Sequence, residues 1–435
     1  MKKIDFKKSV LPILIIIAIY AVISIIYCSP VLEGKVINAG DQVNGLSNVQ
    51  ECVNYTEETG KYSWWTNSLF SGMPNYQVGG GRYSSAVALS PFGFFQSKGI
   101  HNPILTVLFY LISFFVLLRS FDIKRPIAAV GAIAIAFSSY FFIIIGAGHG
   151  GKTAAITWMT LVVAGMVLCY RKKRGWGVIL TMIGMYCGYT IHPQMAYYIM
   201  LLVGVLMCAE LYIYVKEKKF KEWLISSLIF LGAVIIGFGT NLANTFANAE
   251  YVAETMRGGH SDLVSDTQEE SASDGLDIAY ATQWSYGIDE TLTFLIPNYM
   301  GGSSNYKLGK DSRLYKEMIN NRIAPQSAAA FCESVPTYWG DQPFTAGPVY
   351  MGAIVCFLFI LGLIIVKGAY KWALLVATLF SVFLSFGHNF LPLTEVFFNY
   401  FPLYNKFRAV SSILIVAEIT IPLSPLVVTS RKASE

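Results

Sequence analysis

Long apolar runs, separated by short polar segments, constrain this chain more than any other feature of its sequence. Roughly 20 consecutive apolar residues are enough to cross a bilayer, and runs near that length recur along the whole chain. Only 14% of the 435 residues are charged, whereas a soluble domain carries about 25%. The sequence therefore predicts an all-α, polytopic membrane bundle of about ten transmembrane helices. The ten apolar runs lie near 9–28, 103–118, 127–145, 154–170, 176–191, 195–215, 223–239, 349–366, 372–386 and 409–428.

The positions of lysine and arginine predict how these runs are threaded through the membrane. Basic residues are concentrated in 1–8, in 119–125, in RKKR at 171–174 and in KEKKFK at 216–221. Segments rich in Lys and Arg remain on the cytoplasmic side, so we expect both termini to be cytoplasmic. The same placement accounts for the formal net charge of +5 without nucleic acid as a partner. No small-residue cleavage site follows 9–28, so we expect that run to be retained.

This threading divides the chain into membrane parts and two long extracytoplasmic loops. Within the second loop, the polar and acidic stretch 258–275 is typical of a mobile segment. The predicted order is 1–28 as the first transmembrane helix, 29–101 as the first extracytoplasmic loop, 102–239 as transmembrane helices 2–7, 240–348 as the large extracytoplasmic loop, and 349–435 as transmembrane helices 8–10 with a short cytoplasmic tail.

The cysteines predict no metal centre, because no Cys/His spacing typical of a metal site occurs in the sequence. Five of the seven lie in or beside apolar runs, as small core residues do. Cys52 and Cys332 lie in the long polar loops, where a disulfide between them is one option.

The stretch GAGHGGKT, at 146–153, matches the phosphate-binding pattern G-x-x-x-x-G-K-[ST]. In nucleotide hydrolases that loop follows a buried strand, whereas here it follows the membrane-length run IAAVGAIAIAFSSYFFIII, so we expect no ATP. A glycine-rich turn before a helix still favours an anion, which makes Lys152 and His149 candidates for binding a lipid phosphate. The alternative is a tight hairpin whose lysine reaches the membrane interface, and the pattern alone slightly favours that alternative.

Other candidate residues lie near the predicted outer ends of spans. Asp41, in INAGDQVNG, has the chemistry of a general base, although spacing alone favours a turn residue. His192, in TIHPQMAYY, and Arg408, in LYNKFRAVSS, are placed to contact a lipid phosphate; the alternatives are a structural histidine and a headgroup contact. Asp341, in YWGDQPFTAGP, precedes the eighth run. Glu418 lies deep within the tenth run, where a carboxyl group is a candidate for a proton or ion path.

Seven stretches of the chain carry a family resemblance. In order they are NAGDQ, W…LFSGMPNY, GHGGKTAA, HPQMAYY, ETLTFLIPNYMGG, YWGDQPFTAGPVYMG and FPLYNKFRAVS, and they extend from about residue 38 to 412. Together they resemble the YfhO-type bacterial membrane proteins in their Bacteroidetes form, so the resemblance covers nearly the whole chain. Members of that family are usually longer, which implies a C-terminally short form here.

The resemblance implies a fold and an activity. YfhO-type proteins are similar to GT-C glycosyltransferases, multi-span enzymes that use polyprenyl-phosphate sugars and an acidic base in the first outside loop. It therefore implies sugar transfer to an extracytoplasmic glycan or lipid acceptor at the bacterial inner membrane, with no certain cofactor and a divalent metal as an option. The alternatives are a transporter or flippase of lipid-linked sugars and a non-catalytic scaffold. The expected site comprises Asp41 and Asp341 as catalytic residues, and Lys152, His149, Arg408 and His192 as ligands of the lipid phosphate.

Overall fold

The computed structural model describes residues 6–78, 96–97, 100–189, 191–258 and 275–431. The stretch 258–275, predicted to be mobile, lies outside the described residues except at its two ends. The strands in the described ranges form two short hairpins, β1–β2 (Trp65–Thr66, Met73–Pro74) and β3–β4 (Gln96–Ser97, Ile100–His101). The α-helices are α1 (Leu11–Tyr27), α2 (Gly40–Thr59), α3 (Pro103–Ser120), α4 (Arg125–Ala136), α5 (Ser139–Gly146), α6 (Gly150–Tyr170), α7 (Arg174–Gly188), α8 (Pro193–Lys216), α9 (Phe220–Gly239), α10 (Leu242–Val252), α11 (Ile278–Ala281), α12 (Arg313–Asn320), α13 (Pro325–Ser334), α14 (Ala353–Ile365), α15 (Ala369–Ser385), α16 (Leu391–Tyr400) and α17 (Leu414–Arg431).

Apolar composition and local capping residues explain where the long helices begin. Each of the ten predicted apolar runs is helical in the structure. α3 begins after Asn102, whose side-chain oxygen accepts a hydrogen bond from the backbone N–H of Ile104 at 3.0 Å. Proline occupies the first position of both α3 and α8, where its missing N–H costs nothing and its fixed φ suits a helix. The all-α prediction is confirmed.

Six helical stretches in the described part of the chain are long and apolar enough to cross a membrane. Two pairs of helices are bent, α4 with α5 at 48° and α15 with the segment that ends in α16 at 114°, and the number is up to eight if each pair is one span. The chain thus has the architecture of a multi-pass helical membrane protein. The predicted runs 176–191 and 349–366 correspond to the shorter helices α7 and α14, of 15 and 13 residues.

α6 is the central helix of the bundle. In its most apolar stretch of 18 residues, 94% of the residues are buried inside the protein. The corresponding value for the stretch that contains α1 is 11%, because α1 lies at the edge of the bundle. Glycine allows α7 to pack closely along α6, because a Cβ at Gly184 would lie 2.6 Å from Val162 Cγ2 and 2.7 Å from the carbonyl oxygen of Trp158. Small residues commonly permit such close approach between membrane helices. This tight pair holds α6, whose first turn carries the last four residues of GAGHGGKT.

The basic clusters lie at one end of the bundle. α6 and α8 run parallel, because their first turns meet at Gly151 and His192 and they end at Tyr170 and Lys216. RKKR and KEKKFK follow those two ends directly and therefore lie at the same end. There Asp122 accepts from Lys173 at 2.7 Å.

Residues 282–286, from the described part of the second long polar segment, lie at the other end of the bundle. The bend between α15 and α16 occurs at Gly387, where an added Cβ would clash with Ser285 Oγ. The same hydroxyl accepts from the backbone N–H of His388 at 3.0 Å, and the N–H of Tyr286 donates to the carbonyl of Ser385 at 2.8 Å. These contacts hold 282–286 over the bundle, at the wall of the site described below.

Cys52 and Cys332 do not form a disulfide, and all seven cysteines are free thiols. Cys52 Sγ lies 3.5 Å from the carbonyl oxygen of Trp65, whereas Cys332 Sγ lies 3.9 Å from Ser312 Oγ. The two thiols therefore belong to separate local structures, one built by α2 with its hairpin and the other by α12 and α13. The disulfide option raised by the sequence is not realised.

Candidate functional site

A cavity of about 1250 Å³ opens at the end of the bundle where α6 and α8 begin. Five of the six predicted site residues line it, although they are far apart in the sequence; they are Asp41, His149, Lys152, His192 and Arg408. Asp341 does not line it. The walls come from parts of 38–41, 139–152, 192–194, 257, 284–286, 303–305, 342–349 and 408–414.

Gly148 allows the first long segment to dock on the glycine-rich loop. The loop connects α5 to α6, so a helix rather than a strand precedes it. Gly148 has a φ of +83°, and a Cβ at this position would lie 2.6 Å from Ala39 Cβ and 3.3 Å from the backbone nitrogen of Gln42. The start of α2 therefore lies directly against the backbone of Gly148. The glycine-rich pattern serves helix docking in this fold, and the docking brings Asp41 to the cavity.

Asp41 lies in the first turn of α2, where a carboxylate interacts favourably with the helix dipole. Its Oδ2 is 2.9 Å from His149 Nε2, and its side chain remains 65% exposed. Burial and the charge of Lys152 lower the pKa of His149, although Asp41 acts in the opposite direction. The imidazole is therefore neutral near pH 7 and donates from Nε2, since a carboxylate can only accept. The pair is an accessible carboxylate oriented by a neutral donor.

Lys152 lies in the first turn of α6 and lines the cavity. Its Nζ donates to Ser412 Oγ at 3.2 Å. The ion pairs of the described residues do not include Lys152. An ammonium group has three N–H donors, so two of them are available to a ligand in the cavity. A cation in this position favours an anionic ligand.

Arg408 comes from the segment between α16 and α17. Its Nη1 donates to the hydroxyl of Tyr280 at 2.6 Å, and its carbonyl accepts from Gln194 Nε2 at 2.7 Å. The next residue, Ala409, has a φ of +56°, a conformation that costs a non-glycine residue about 1–2 kcal/mol. Strained backbone is often retained where it aims a functional side chain. The surrounding contacts therefore hold Arg408 at the cavity wall.

His192 acts first as the cap of α8. Its Nδ1 accepts from the backbone N–H of Met195 at 3.4 Å. Burial and the positive charge of Lys152 lower the pKa of His192 to about 3, so the ring is neutral and contributes no charge. The remaining ring nitrogen is the one atom it can offer to a ligand. The geometry favours the structural interpretation of His192, and phosphate binding by it stays a prediction.

Arg257 is a cavity cation that sequence reasoning missed. It follows α10, and its backbone carbonyl accepts from Lys406 Nζ at 2.9 Å while its own guanidinium donates to the Lys406 carbonyl. Burial and the charge of Arg408 lower the pKa of Arg257, although a guanidinium stays charged at any physiological pH. The available signal was an arginine beside two glycines, in MRGG, at the start of an otherwise acidic stretch.

Positive charge therefore exceeds negative charge among the described residues of the lining. Lys152, Arg257 and Arg408 face one carboxylate, that of Asp41, which His149 already contacts. Charges in a concave, partly buried site interact more strongly than charges in water. The cavity is suited to an anion such as a phosphate, bound beside a carboxylate that can accept a proton.

Asp341 was expected to be a catalytic residue, but it is not among the residues that line the cavity. The chain turns around the ring of Tyr338, whose hydroxyl accepts from the backbone N–H of Gln342 at 3.1 Å. This turn directs Gln342 to the cavity and Asp341 to Asn389 Nδ2, at 3.0 Å. The buried acid here is Glu290, which accepts from the Tyr338 hydroxyl at 2.7 Å. Burial raises the pKa of Glu290.

Another part of the lining is uncharged. The rings of Trp284 and Phe344 meet edge to face, with centres 5.2 Å apart. Asn305 and Gln342 add amide groups nearby in the lining. Aromatic rings combined with amides and hydroxyls are suited to an uncharged polar molecule with apolar faces, such as a sugar.

The described residues contain no group of three or more His, Cys, Asp or Glu side chains arranged to hold a metal ion. The option of a divalent metal stays a prediction.

Comparison with protein-family models, curated proteins and solved structures gave no significant match to the chain. The functional argument therefore depends on the geometry and chemistry of the cavity.

Proposed function

We propose that this chain is a membrane glycosyltransferase that moves a sugar from a polyprenyl-phosphate donor to an extracytoplasmic glycan or lipid acceptor. The observation that supports it most is the presence of one carboxylate, Asp41, and three cations on a single cavity. Glycosyl transfer from a phosphate requires a base for the acceptor hydroxyl and positive charge for the leaving phosphate. The cavity also lies where membrane helices begin, which suits a donor whose lipid tail stays in the bilayer.

The proposed reaction is a direct displacement. The acceptor oxygen attacks the anomeric carbon and forms the new C–O bond, while its proton passes to Asp41. The bond from the anomeric carbon to the phosphate oxygen breaks, and its electron pair leaves with the polyprenyl phosphate. Lys152, Arg257 and Arg408 stabilise the charge that develops on that phosphate. Attack from the face away from the leaving group inverts the configuration at the anomeric carbon.

The proposal also includes the protein family to which the chain would belong and its topology in the membrane. The chain would be a YfhO-type protein with a GT-C-like fold and ten spans, two of them formed by α7 and α14. It would lie in the bacterial inner membrane with both termini cytoplasmic. The basic clusters lie at the end of the bundle away from the cavity, which supports this orientation under the positive-inside rule.

A transfer assay tests the proposal. The purified protein is reconstituted with radiolabelled polyprenyl-phosphate hexoses and a bacterial envelope-glycan fraction as acceptor. Asp41→Asn should lower transfer by about 100-fold or more, as expected for loss of a general base, without loss of donor binding. Glu58→Gln is the matched control, because Glu58 is exposed on the same helix. Equal transfer by the wild type and Asp41→Asn would refute the role of Asp41.

A transporter or flippase of lipid-linked sugars is the second candidate. It would use the same cations to hold the phosphate, and the buried carboxyl of Glu418 inside α17 is the observation that favours it. In the same liposomes it predicts movement of intact donor between leaflets, unchanged by Asp41→Asn.

A further inference from the structure

Glu418 lies inside a membrane helix and has no part in the proposed transfer reaction. It is 1% exposed, and neither carboxyl oxygen has a hydrogen-bond partner among the described residues. The hydroxyl of Ser138 lies beside it and can turn toward its carboxyl group or toward the carbonyl of Tyr350, to which it donates at 3.3 Å. Leu414, one helical turn earlier on α17, lines the cavity, so Glu418 lies below the cavity wall on the membrane side.

Glu210 is a second buried carboxyl group inside a membrane helix, and it differs from Glu418 in its hydrogen bonding. Glu210 lies on α8 and is 2% exposed. The hydroxyl of Tyr370 donates a hydrogen bond to the carboxyl group of Glu210, so this carboxyl group has a fixed hydrogen-bond donor. Glu418 has no fixed donor of this kind and no cation beside it, only the Ser138 hydroxyl that also reaches Tyr350, and burying an ionised carboxylate in such surroundings is very costly.

The groups that interact with Glu418 are hydroxyls and a thiol. Tyr140, Tyr286 and Cys356 each interact with it electrostatically, and no lysine, arginine or histidine of the described chain does so. A carboxyl group in these surroundings is held in its neutral, protonated form. Ionisable groups kept inside membrane bundles commonly serve proton or ion transfer.

Two of the tyrosines that interact electrostatically with Glu418 also belong to the cavity wall, and they differ in where their hydroxyls are directed. Both Tyr140 and Tyr286 line the cavity. The Tyr286 hydroxyl donates to the carbonyl of Glu290 at 3.0 Å, away from the cations. The Tyr140 hydroxyl donates to the carbonyl of Ser412 at 3.3 Å, and the side chain of that serine contacts Lys152. Of the two hydroxyls, that of Tyr140 is therefore the one directed toward the charged part of the cavity.

The backbone of α17 also leaves the carbonyl oxygen of Glu418 without its usual hydrogen-bond donor. α17 contains Pro422 and Pro425. Proline has no N–H, so Pro422 cannot donate to the carbonyl of Glu418, four residues earlier. The backbone carbonyl oxygen of Glu418 thus lacks its usual helical donor. Discontinuities of this kind in membrane helices often accompany ion or proton sites.

We propose that Glu418 is a proton-binding site inside the membrane, which exchanges its proton with the cavity by way of Tyr140. In the exchange, the Tyr140 hydroxyl turns from the Ser412 carbonyl toward the carboxyl group of Glu418; the carboxyl passes its proton to the Tyr140 oxygen while Tyr140 releases its own proton to water in the cavity, which leaves a carboxylate that the reverse steps reprotonate. This site does not depend on the glycosyltransferase proposal.

Carbodiimide labelling tests whether the proton is present. Dicyclohexylcarbodiimide is apolar and reacts with protonated carboxyl groups in membranes. In the full protein at neutral pH, we expect peptide mass spectrometry to find the adduct on Glu418 and to find none there in Glu418→Gln. Glu210→Gln is the matched control and should leave labelling of Glu418 unchanged. Absence of the adduct, together with no protonated-carboxyl infrared band that Glu418→Gln removes, would overturn the proposal.

Infrared hydrogen–deuterium exchange tests the route. On transfer to deuterium oxide, the carboxyl band of Glu418 should shift at least about tenfold more slowly in Tyr140→Phe than in the wild type. Tyr286→Phe is the matched control, because it removes the other neighbouring hydroxyl. Equal rates in the wild type and Tyr140→Phe would eliminate the route through Tyr140, and slower exchange in Tyr286→Phe alone would reassign it.

Discussion

At the scale of single residues, a methyl group added at Gly148 is expected to displace the segment that carries Asp41. Gly148→Ala forces a left-handed alanine, at a cost of about 1–2 kcal/mol, and places its Cβ 2.6 Å from that of Ala39. We expect lower thermal stability and loss of the activity that depends on Asp41. Gly146→Ala, in the same loop, is the control, because a Cβ at Gly146 meets nothing within 4 Å. Equal behaviour of the two variants would contradict the docking role of Gly148.

The Lys152 ammonium is expected to contribute strongly to phosphate binding. Hydrogen bonds to charged groups contribute about 1.5–3 kcal/mol, so Lys152→Met should weaken binding of polyprenyl phosphate by about 10–100-fold. Equilibrium binding to the detergent-solubilised protein measures the effect. Lys61→Met is the control, since Lys61 is exposed and remote in sequence from every lining residue. An unchanged affinity in Lys152→Met would place the phosphate elsewhere.

His192 gives the fold a defined sensitivity to acid. Its pKa in the fold is about 3, below the ordinary value of about 6.5, so the unfolded chain binds its proton first as the pH falls. Its contribution to stability is therefore complete above about pH 6.5 and is lost progressively toward pH 3, with about 2 kcal/mol lost at about pH 5. His192→Asn keeps a helix-capping side chain that does not titrate.

The comparison of thermal denaturation at about pH 7.5 and about pH 5 measures this effect. The wild type should lose more stability on acidification than His192→Asn does. An equal loss in both proteins would show that His192 is not the titrating group.

Several residues of the cavity could be named from the sequence by their type and position, whereas the contacts between them could not be predicted. Asp41, Lys152 and Arg408 became candidates because charged residues near the ends of apolar runs are few, although the pattern alone favoured structural roles for Asp41 and Lys152. The contact between Asp41 and His149 depends on how α2 docks on Gly148, which no local pattern encodes. Arg257 lies in a long polar segment, where no periodicity distinguishes one charge from another.

At the scale of secondary-structure elements, hydrophobic runs located the long helices, and tertiary contacts determined where helices break. The run 127–145 was predicted as one span, but α4 and α5 are separated by a 48° bend. There the backbone N–H of Ser139 donates to the carbonyl of Tyr350 at 3.0 Å, and the N–H of Tyr350 donates back to Ser139 Oγ at 2.6 Å. A partner more than 200 residues away cannot be inferred from a hydropathy pattern.

Packing between α6 and α7 is expected to depend on the absence of a side chain at Gly184. A Cβ there would contact Val162 and the backbone of Trp158, and overpacking of this kind costs about 1–3 kcal/mol. Gly184→Ala should therefore lower the denaturation temperature in detergent. Gly175→Ala is the control on the same helix, because nothing lies within 4 Å of its added Cβ. Similar temperatures for both variants would show that α6 and α7 are not tightly packed.

At the scale of the whole molecule, the bundle separates two kinds of positive charge. The basic clusters that follow α6 and α8 lie at one end, where several residues form ion pairs with acids such as Asp122 and Glu222. The cations at the other end line a cavity with a single carboxylate among its described residues. The first group suits membrane orientation, and the second suits binding of an anionic ligand.

The most direct test of this account is an experimental structure of the protein with polyprenyl phosphate bound in a lipid environment. We expect the phosphate to contact Lys152 and at least one of Arg257 and Arg408, with Asp41 on the same cavity and its carboxylate facing the space beside the phosphate. A phosphate bound outside this cavity, or Asp41 separated from the cations, would contradict the proposed site.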